Sequence, residues 1–422
     1  MTTPRSRIFS LPIALGLLAA SACGGSTASP NESPGDGGAE GALGDGPGAS
    51  PDAASDGGGQ QGGDAGSGLA AIPLYSCSLD GIAYTVGATI GSQQFELLLD
   101  TGSCTLGVAS SSCSGCGVTP EYTPGSTAVD QKKTASSTYG TGMWTGEIYK
   151  DDVSLPPGAS TLLDFAAIDT QSMFFQPIPC DSKSGSMQGI VGFAPPAAAV
   201  AGTTGLLDQM VLSQKVPDIF ATKLCDTGGS LWLGGYDPAA TTGAVQYTPF
   251  QQQFFDAGYY GVNLVSIEAN GMTVPIASAQ YADSLVDTGT SIFALGTTAY
   301  DALIAAIGSD AAFTKTFGGA SFFTAQQPCV ATSATKATLD ATLPALTLTF
   351  GSSPAITVHA TATESYLFSA MGQGWCSAIQ GFPSGPNAPV AALMGAPILR
   401  SNVLVFDRVQ KRLGFAPHTA CP

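Results

Sequence analysis

Three copies of the tripeptide Asp-Thr-Gly stand in the sequence, at Asp100, Asp226 and Asp287. Because Asp and Gly are common turn residues, a tight turn is the simplest interpretation of any one copy. In the first and last copies, however, an apolar strand sequence leads into the acid, and Ser103 or Thr290 follows the glycine. This context predicts two aspartates at the ends of buried strands, each beside a hydroxyl group that can orient it.

The middle copy has a different context. In "LCDTGGSLWLGG" the residues after Asp226 are Thr, two glycines and Ser, and then another strand sequence begins. This arrangement is typical of the turn of a β-hairpin. We therefore predict that Asp226 is a turn residue and that only Asp100 and Asp287 could act together.

Two carboxyl groups held close together in a cleft share one proton, because a second negative charge beside the first is unfavourable where little water solvates it. The ionised group can take a proton from a bound water, and the protonated group can polarise a carbonyl. Gly102 and Gly289 allow the tight turns that bring backbone amides near these acids. Two aspartates in matching contexts therefore predict hydrolysis of a carbonyl substrate.

The composition excludes several other classes of chemistry. The chain of 422 residues has a formal net charge of −17, so we expect neither nucleic acid nor an anionic membrane surface as a partner. It contains two histidines, which leaves few arrangements for a Ser-His-Asp or Cys-His site. Cys113 and Cys116 have the spacing of half a zinc site, but no second such pair exists. We predict no metal and no cofactor.

The first residues are typical of an export signal, with Arg5 and Arg7 before a short apolar run. We predict a signal peptide over 1–22 and a disordered tether over 23–68, rich in Gly, Ser, Pro and Asp. The sequence Ala-Ser-Ala-Cys resembles a bacterial lipobox, in which Cys23 would carry a lipid. That lipid would be the only link to a membrane, and free secretion is the alternative.

The rest of the chain consists of short apolar or alternating runs separated by turn residues, which predicts a mostly β protein. We place one lobe at 69–250 and a second at 251–422. Each half contains an acid motif followed later by two apolar residues and a glycine, "IVG" ending at Gly192 and "LMG" ending at Gly395. This repeated order predicts two similar lobes that each contribute one acid to a shared cleft.

Over about residues 75–417 the sequence resembles the pepsin family of aspartic endopeptidases. The resemblance rests on the two acid motifs, on "TYGTGMWTGEIYKDDV" and on "LMGAPILRSNVLVFDRVQKRLGFAP". It implies a bilobal double-β-barrel fold with the cleft between the lobes, Asp100 and Asp287 as the catalytic pair, and a polypeptide as substrate. It also implies that Tyr139 and Gly140 belong to a flap over the substrate. We expect a monomer.

By the same resemblance, Cys329 and Cys376 would form a disulfide. The pairing of the other cysteines stays open; they are Cys77, Cys104, Cys113, Cys116, Cys180, Cys225 and Cys421. One departure concerns activity: Gly107 stands where the family often has a Trp that binds the flap Tyr, and Trp144 is a candidate substitute. The alternative function is a catalytically silent peptide-binding or protein-binding module on the same fold.

Overall fold

The structure is a computed structural model that describes residues 69–77, 83–140, 142–175, 180, 185–326, 328–351, 355–370, 374–383 and 390–421. The predicted signal peptide, the predicted tether and Cys23 lie outside the described residues. Within the described ranges, no helix has both the length and the apolar character needed to cross a membrane.

The prediction of a mostly β protein is confirmed. The described residues form these strands, in chain order: β1 Ile72–Cys77, β2 Ala83–Ile90, β3 Gln93–Asp100, β4 Leu106–Ala109, β5 Val129–Thr138, β6 Met143–Ser154, β7 Thr161–Ser172, β8 Gly189–Gly192, β9 Ile219–Cys225, β10 Gly228–Leu233, β11 Gln246–Pro249, β12 Gly261–Ala269, β13 Met272–Thr273, β14 Asp283–Val286, β15 Phe293–Gly296, β16 Cys329–Val330, β17 Leu346–Phe350, β18 Ile356–Ala360, β19 Leu367–Ala370, β20 Gly374–Ser377, β21 Ile379–Phe382, β22 Ala392–Met394, β23 Asn402–Asp407 and β24 Arg412–Pro417.

Two large sheets organise these strands. Among the described residues the larger sheet has the order β11-β24-β23-β9-β10-β1-β2-β3-β8-β4-β7-β6-β5, and the smaller has the order β18-β17-β12-β14-β22-β15-β21 with β13 beside β12. A third sheet has the order β16-β20-β19. The strands β23 and β24, from the end of the chain, pair with β9 and β11 in the larger sheet. The chain therefore crosses back to the sheet that its first half builds.

Helices are short and connect the strands. They are α1 Leu206–Gln214, α2 Gln252–Asp256, α3 Thr297–Gly308, α4 Ala311–Phe317, α5 Ser321–Thr324, α6 Lys336–Thr342, α7 Ala362–Ser365 and α8 Ala396–Leu399. Helices α1 and α3 coincide with "GLLDQMVLSQ" and "TTAYDALIAAIG", in which apolar residues recur at helical spacing. Helix α3 buries Leu303 and Ile307, which are four residues apart and so share one helix face.

The internal duplication is visible in the strand pairing. The strand before the first acid, β3, pairs in parallel with β8, which pairs antiparallel with β4, and β4 pairs in parallel with β7. The strand before the second acid, β14, pairs in parallel with β22, which pairs antiparallel with β15, and β15 pairs in parallel with β21. The same four-strand arrangement therefore positions each acid motif.

Four disulfides link the described residues, and Cys329–Cys376 is one of them. The others are Cys77–Cys180, Cys113–Cys116 and Cys225–Cys421. Cys104 is the free cysteine of the described part of the chain, and it is buried. Its thiol donates to the carboxylate of Asp208 at 3.5 Å, behind the first acid motif.

Candidate active site

Asp100 is the last residue of β3. In this strand Phe95, Leu97 and Leu99 alternate into the core, as expected for a sheet with one packed face. The side chain of Asp100 is also withdrawn from solvent, with 4% of the residue exposed. Its Oδ1 accepts from the backbone N–H of Gly102 at 2.9 Å, and its Oδ2 accepts from the hydroxyl of Ser103 at 2.5 Å. The carboxylate is therefore fixed on both oxygens.

Asp287 directly follows β14 and is held by an equivalent set of contacts. Its Oδ1 accepts from the backbone N–H of Gly289 at 2.8 Å, and its Oδ2 accepts from the hydroxyl of Thr290 at 2.6 Å. The hydroxyl after the glycine thus has the same role in both motifs, although it belongs to Ser in one and to Thr in the other. The predicted orienting contacts are present at both acids.

The threonines of the two motifs bind the opposite motif. The backbone N–H of Thr101 donates to the hydroxyl of Thr288 at 3.2 Å, and the N–H of Thr288 donates to the hydroxyl of Thr101 at 3.0 Å. The Thr288 hydroxyl in turn donates to the carbonyl of Leu99 at 2.7 Å. Because both threonines are buried, these bonds join the two acid loops without competition from water.

The two carboxyl groups face each other across the junction of the two acid loops. Their closeness is also clear from the glycines: a Cβ on Gly102 would lie 2.8 Å from Oδ2 of Asp287, and one on Gly289 would overlap Oδ1 of Asp100. Burial and the neighbouring charge of Asp287 raise the pKa of Asp100 well above its usual range. The site therefore retains a proton at pH values where an exposed aspartate has lost it.

A hairpin brings Tyr139 close to the first acid of this pair. Strands β5 and β6 form it, and the backbone N–H of Tyr139 donates to the carbonyl of Gly142 at 2.7 Å to close its tip, next to the exposed Gly140. The ring of Tyr139 packs against Phe174, with ring centroids 5.3 Å apart. Burial and the charge of Asp100 raise the pKa of Tyr139 to about 12, so its hydroxyl stays protonated near the acids.

Asp226 lies in the two-residue turn between β9 and β10, as predicted. Its environment differs from that of Asp100, because 45% of the Asp226 side chain is exposed to solvent. The structure gives it a further contact that the sequence did not suggest: the guanidinium of Arg400 binds its carboxylate at 2.7 Å. Lys336 is 3.7 Å away. The third Asp-Thr-Gly copy thus stabilises the junction of a hairpin with helix α8.

Sequence reasoning missed several residues of the site. It assigned no role to Thr101 and Thr288, although the presence of Thr in both copies of the motif was a usable signal. It also passed over Phe174, whose ring packs against Tyr139, and Phe175, whose ring meets that of Phe174 edge to face. Nothing in the sequence indicated that Cys104 would contact Asp208, because 104 residues separate them.

No group of three or more His, Cys, Asp or Glu side chains in the described ranges is arranged to hold a metal ion. Cys113 and Cys116, the two residues with zinc-like spacing, are bonded to each other. The site therefore consists of an acid pair with one strongly raised pKa, two orienting hydroxyl groups and a hairpin whose Tyr139 lies near Asp100.

A bilobal, mostly β fold with paired Asp-Thr-Gly loops defines a pepsin-like protein. The chain belongs to the eukaryotic aspartyl protease family, whose model matches residues 83–418. The matched region contains both acid loops, the hairpin of β5 and β6 and the returning strands β23 and β24.

Curated relatives agree with this assignment. An aspartic protease from Phaffia rhodozyma is 29% identical over 338 residues, which cover 79% of this chain and 76% of the relative. Pepsin-2B from Gadus morhua is 28% identical over 334 residues, which cover 77% of this chain and 92% of the relative. Pepsin A from Sus scrofa is 32% identical over a shorter region of 217 residues. The chain is thus a protease of the aspartyl type by family.

Proposed function

We propose that this protein is an exported aspartic endopeptidase in which Asp100 and Asp287 activate a water molecule between them. The observation that carries this proposal is the pairing of their carboxyl groups, because the pKa of Asp100 is raised by burial and by the second acid. The family supports protease activity on polypeptides. The assignment of these two residues as catalytic is our own.

In the proposed reaction the acid pair holds one proton. The ionised carboxylate takes a proton from the water as the water attacks the peptide carbonyl, and the protonated carboxyl donates a hydrogen bond to the carbonyl oxygen. Ser103 and Thr290 hold the Oδ2 atoms of Asp100 and Asp287 through hydrogen bonds, and the amides of Gly102 and Gly289 hold the Oδ1 atoms. Activity therefore falls at low pH, when both acids are protonated, and at high pH, when both are ionised.

We propose that an extended polypeptide lies between the acid pair and the flap, the hairpin of β5 and β6. Tyr139 and Gly140 at its tip are placed to cover the substrate. The aromatic rings of Phe174 and Phe175 beside Tyr139 form an apolar wall. Such a wall favours a large apolar side chain next to the cleaved bond, because burying an aromatic or aliphatic side chain contributes roughly 1.5–3 kcal/mol.

The decisive experiment measures cleavage of a denatured protein between pH 3 and 7. We expect Asp100→Asn and Asp287→Asn each to lower kcat by several orders of magnitude, and a pepstatin-type inhibitor to block the wild type. Asp226→Asn is the matched control, because it alters the third copy of the same tripeptide outside the acid pair, and it should retain activity. Hydrolysis that survives both active-site substitutions would remove the acid pair from the mechanism.

The alternative of a silent binding module predicts a different pattern. A binding module would hold peptides with similar affinity in the wild type and in Asp287→Asn, and it would cleave in neither. The specific observation that favours this alternative is Gly107, which lacks the indole common at this position in the pepsin family. Any pepstatin-sensitive cleavage by the wild type would exclude it.

We further propose that the protein is a bacterial lipoprotein, with 1–22 removed, Cys23 lipidated and 23–68 as a tether. The support is the Ala-Ser-Ala-Cys sequence after an apolar run. Labelling of cells with radioactive palmitate tests this. Wild type should carry label in the membrane fraction, and Cys23→Ser should carry none; equal labelling of both would refute lipidation at Cys23, and label in neither would indicate free secretion.

A further inference from the structure

Two buried polar atoms of the flap lack a hydrogen-bond partner among the described residues: the hydroxyl of Tyr139 and the indole Nε1 of Trp144. Buried donors of this kind are normally paired, because an unpaired one loses the hydrogen bond that water would otherwise give it. Both atoms belong to one hairpin, since Tyr139 lies at its tip and Trp144 lies on its returning strand, β6. Because both groups lie on one hairpin, each is a candidate hydrogen-bond partner for the other.

Trp144 is firmly held. It is 1% exposed, and its backbone pairs with Ser137 on one side and Gln171 on the other. Its ring belongs to a small apolar cluster with Ala109, Ile148, Ala166 and Ile168, against which Tyr139 packs from outside. Tyr139, by contrast, follows the end of β5 at the hairpin tip. The indole is therefore the fixed member of the pair and the phenol the movable one.

Gly107 explains why the indole can occupy this space. A Cβ on Gly107 would lie 3.6 Å from Cζ2 of Trp144 and 3.3 Å from Cδ1 of Ile168. A large side chain at position 107 would therefore compete with the Trp144 ring for the same volume. The absence of a side chain at Gly107 on β4 therefore leaves the space beside which the indole of Trp144 on β6 packs.

The electrostatics of Tyr139 agree with this proximity. Burial is the main influence that raises the pKa of its hydroxyl, while Ser137, Trp144 and Ser103 are close enough to lower it. None of these three groups meets hydrogen-bond geometry with the hydroxyl in the present arrangement. The Tyr139 hydroxyl and Nε1 of Trp144 are therefore neighbours that are not yet bonded.

We propose that Trp144 is a positioning residue that donates its Nε1–H to the Tyr139 hydroxyl when the flap closes over a peptide. The bond uses an oxygen lone pair of Tyr139, so the Tyr139 O–H remains free to donate to Ser103 or to the bound peptide. The flap thus contains its own anchor for its tip, instead of relying on a side chain from β4. This role rests on the proposed proteolytic function.

Kinetics of Trp144→Phe test the proposal, because Phe keeps a buried ring and removes only the indole donor. For the loss of one neutral hydrogen bond in the closed state we expect kcat/KM to fall about five- to tenfold. Tyr139→Phe should lose at least as much, because it also removes the O–H that can donate to the peptide, and the double variant should lose little more than Tyr139→Phe alone. Additive losses, or a Trp144→Phe variant as active as wild type, would overturn the proposal.

Trp232→Phe is the matched control. Trp232 is also buried, and its Nε1 likewise lacks a partner among the described residues, but it lies in a separate apolar cluster with Val403 and Val405. Equal effects of the two substitutions on the unfolding midpoint, with a loss of kcat/KM only at Trp144, support a positioning role. A loss of activity in Trp232→Phe that matches Trp144→Phe would indicate a general packing effect and would contradict the proposal.

A relocation experiment adds a gain-of-function result. Gly107→Trp alone should be poorly active, because two indoles compete for one space. The double variant Gly107→Trp/Trp144→Met moves the indole to β4 and should recover at least part of the lost kcat/KM. A double variant that is no better than Gly107→Trp would contradict the idea that the two positions share one function.

A binding measurement separates failure of this proposal from failure of the proposed function. The chain has three Trp residues, so Trp232→Phe/Trp375→Phe leaves Trp144 as the single indole. Binding of a pepstatin-type peptide should change its emission, and Tyr139→Phe should abolish that change. This result stands even if no hydrolysis is found, whereas unchanged emission in a bound and active enzyme would refute the Trp144–Tyr139 bond.

Discussion

At the scale of single residues, the sequence indicated the two acids of the site but not the hydrogen bonds between their loops. The apolar lead-in and the following hydroxyl residue distinguished Asp100 and Asp287 from Asp226, and the structure brings the first two together. The sequence could not predict the crossed bonds of Thr101 and Thr288. Those bonds depend on the distance between two loops 187 residues apart, which only the folded chain determines.

The burial of Asp100 makes stability depend on pH. Because its pKa is raised in the folded protein, its contribution to stability is full below the unfolded value, about 3.9, and is lost as pH rises through the folded value. Asp100→Asn cannot ionise. We expect this variant to be more stable than wild type at pH 7 by roughly 0.5–2 kcal/mol.

Thermal unfolding at pH 3 and at pH 7 checks this prediction. The stability difference between Asp100→Asn and wild type should shrink toward pH 3. Asp226→Asn provides the comparison, because it removes the negative charge that binds the buried Arg400 guanidinium and should lower stability at pH 7. An Asp100→Asn variant that gains nothing at pH 7, or gains equally at both pH values, would contradict the pH argument.

At the scale of elements, the duplicated four-strand arrangement was only partly predictable. The order of acid motif and apolar-apolar-Gly triplet indicated two equivalent halves, and β8 and β22 confirm the equivalence of the triplets. Strand bounds and the mixed parallel and antiparallel pairing were not accessible, because short apolar runs do not specify their neighbours. The hairpin of β5 and β6 was identified by resemblance and not by its alternation.

Gly289 shows how closely the two loops approach. A Cβ at this position would overlap Oδ1 of Asp100, so Gly289→Ala must displace one acid loop from the other. Because a misplacement of about 1 Å in a catalytic group can cost on the order of 100-fold in rate, we expect kcat to fall by about that factor. Steady-state kinetics of the purified variant provide the measurement.

Gly87→Ala is the control for this substitution. Gly87 lies in β2, and a Cβ there would meet no atom within 4 Å. It should leave both kcat and the unfolding midpoint close to those of wild type. If Gly289→Ala kept full activity, the close approach of Gly289 and Asp100 would not exist in the active enzyme.

At the scale of the whole molecule, the end of the chain returns to the sheet built by its first half. Strand β23 pairs with β9, and Arg408 at the following turn binds the carboxylates of Asp208 and Asp218. The predicted lobe boundary at 250 and 251 stays a prediction beside this return of the chain. Sequence patterns gave no sign of it, because pairing between segments about 200 residues apart leaves no local periodicity.

The Cys225–Cys421 disulfide should contribute measurably to stability, since it closes a loop with a sequence separation of 196. For Cys225→Ala/Cys421→Ser we expect a loss of about 2–5 kcal/mol in the free energy of unfolding. Chemical denaturation under non-reducing conditions measures it. Cys113→Ser/Cys116→Ser removes a disulfide between residues with a sequence separation of 3, so it should lower the free energy of unfolding by less. A larger loss for this variant than for Cys225→Ala/Cys421→Ser would contradict the loop-length argument.

The same disulfide has a consequence for damage by other proteases. Cys225 and Cys421 turn almost half of the chain, including the second acid loop, into a covalent ring. A single nick at any peptide bond between them therefore releases no fragment. The nicked protein should migrate as one species on a non-reducing gel and separate into two only after the sulfur–sulfur bond is reduced.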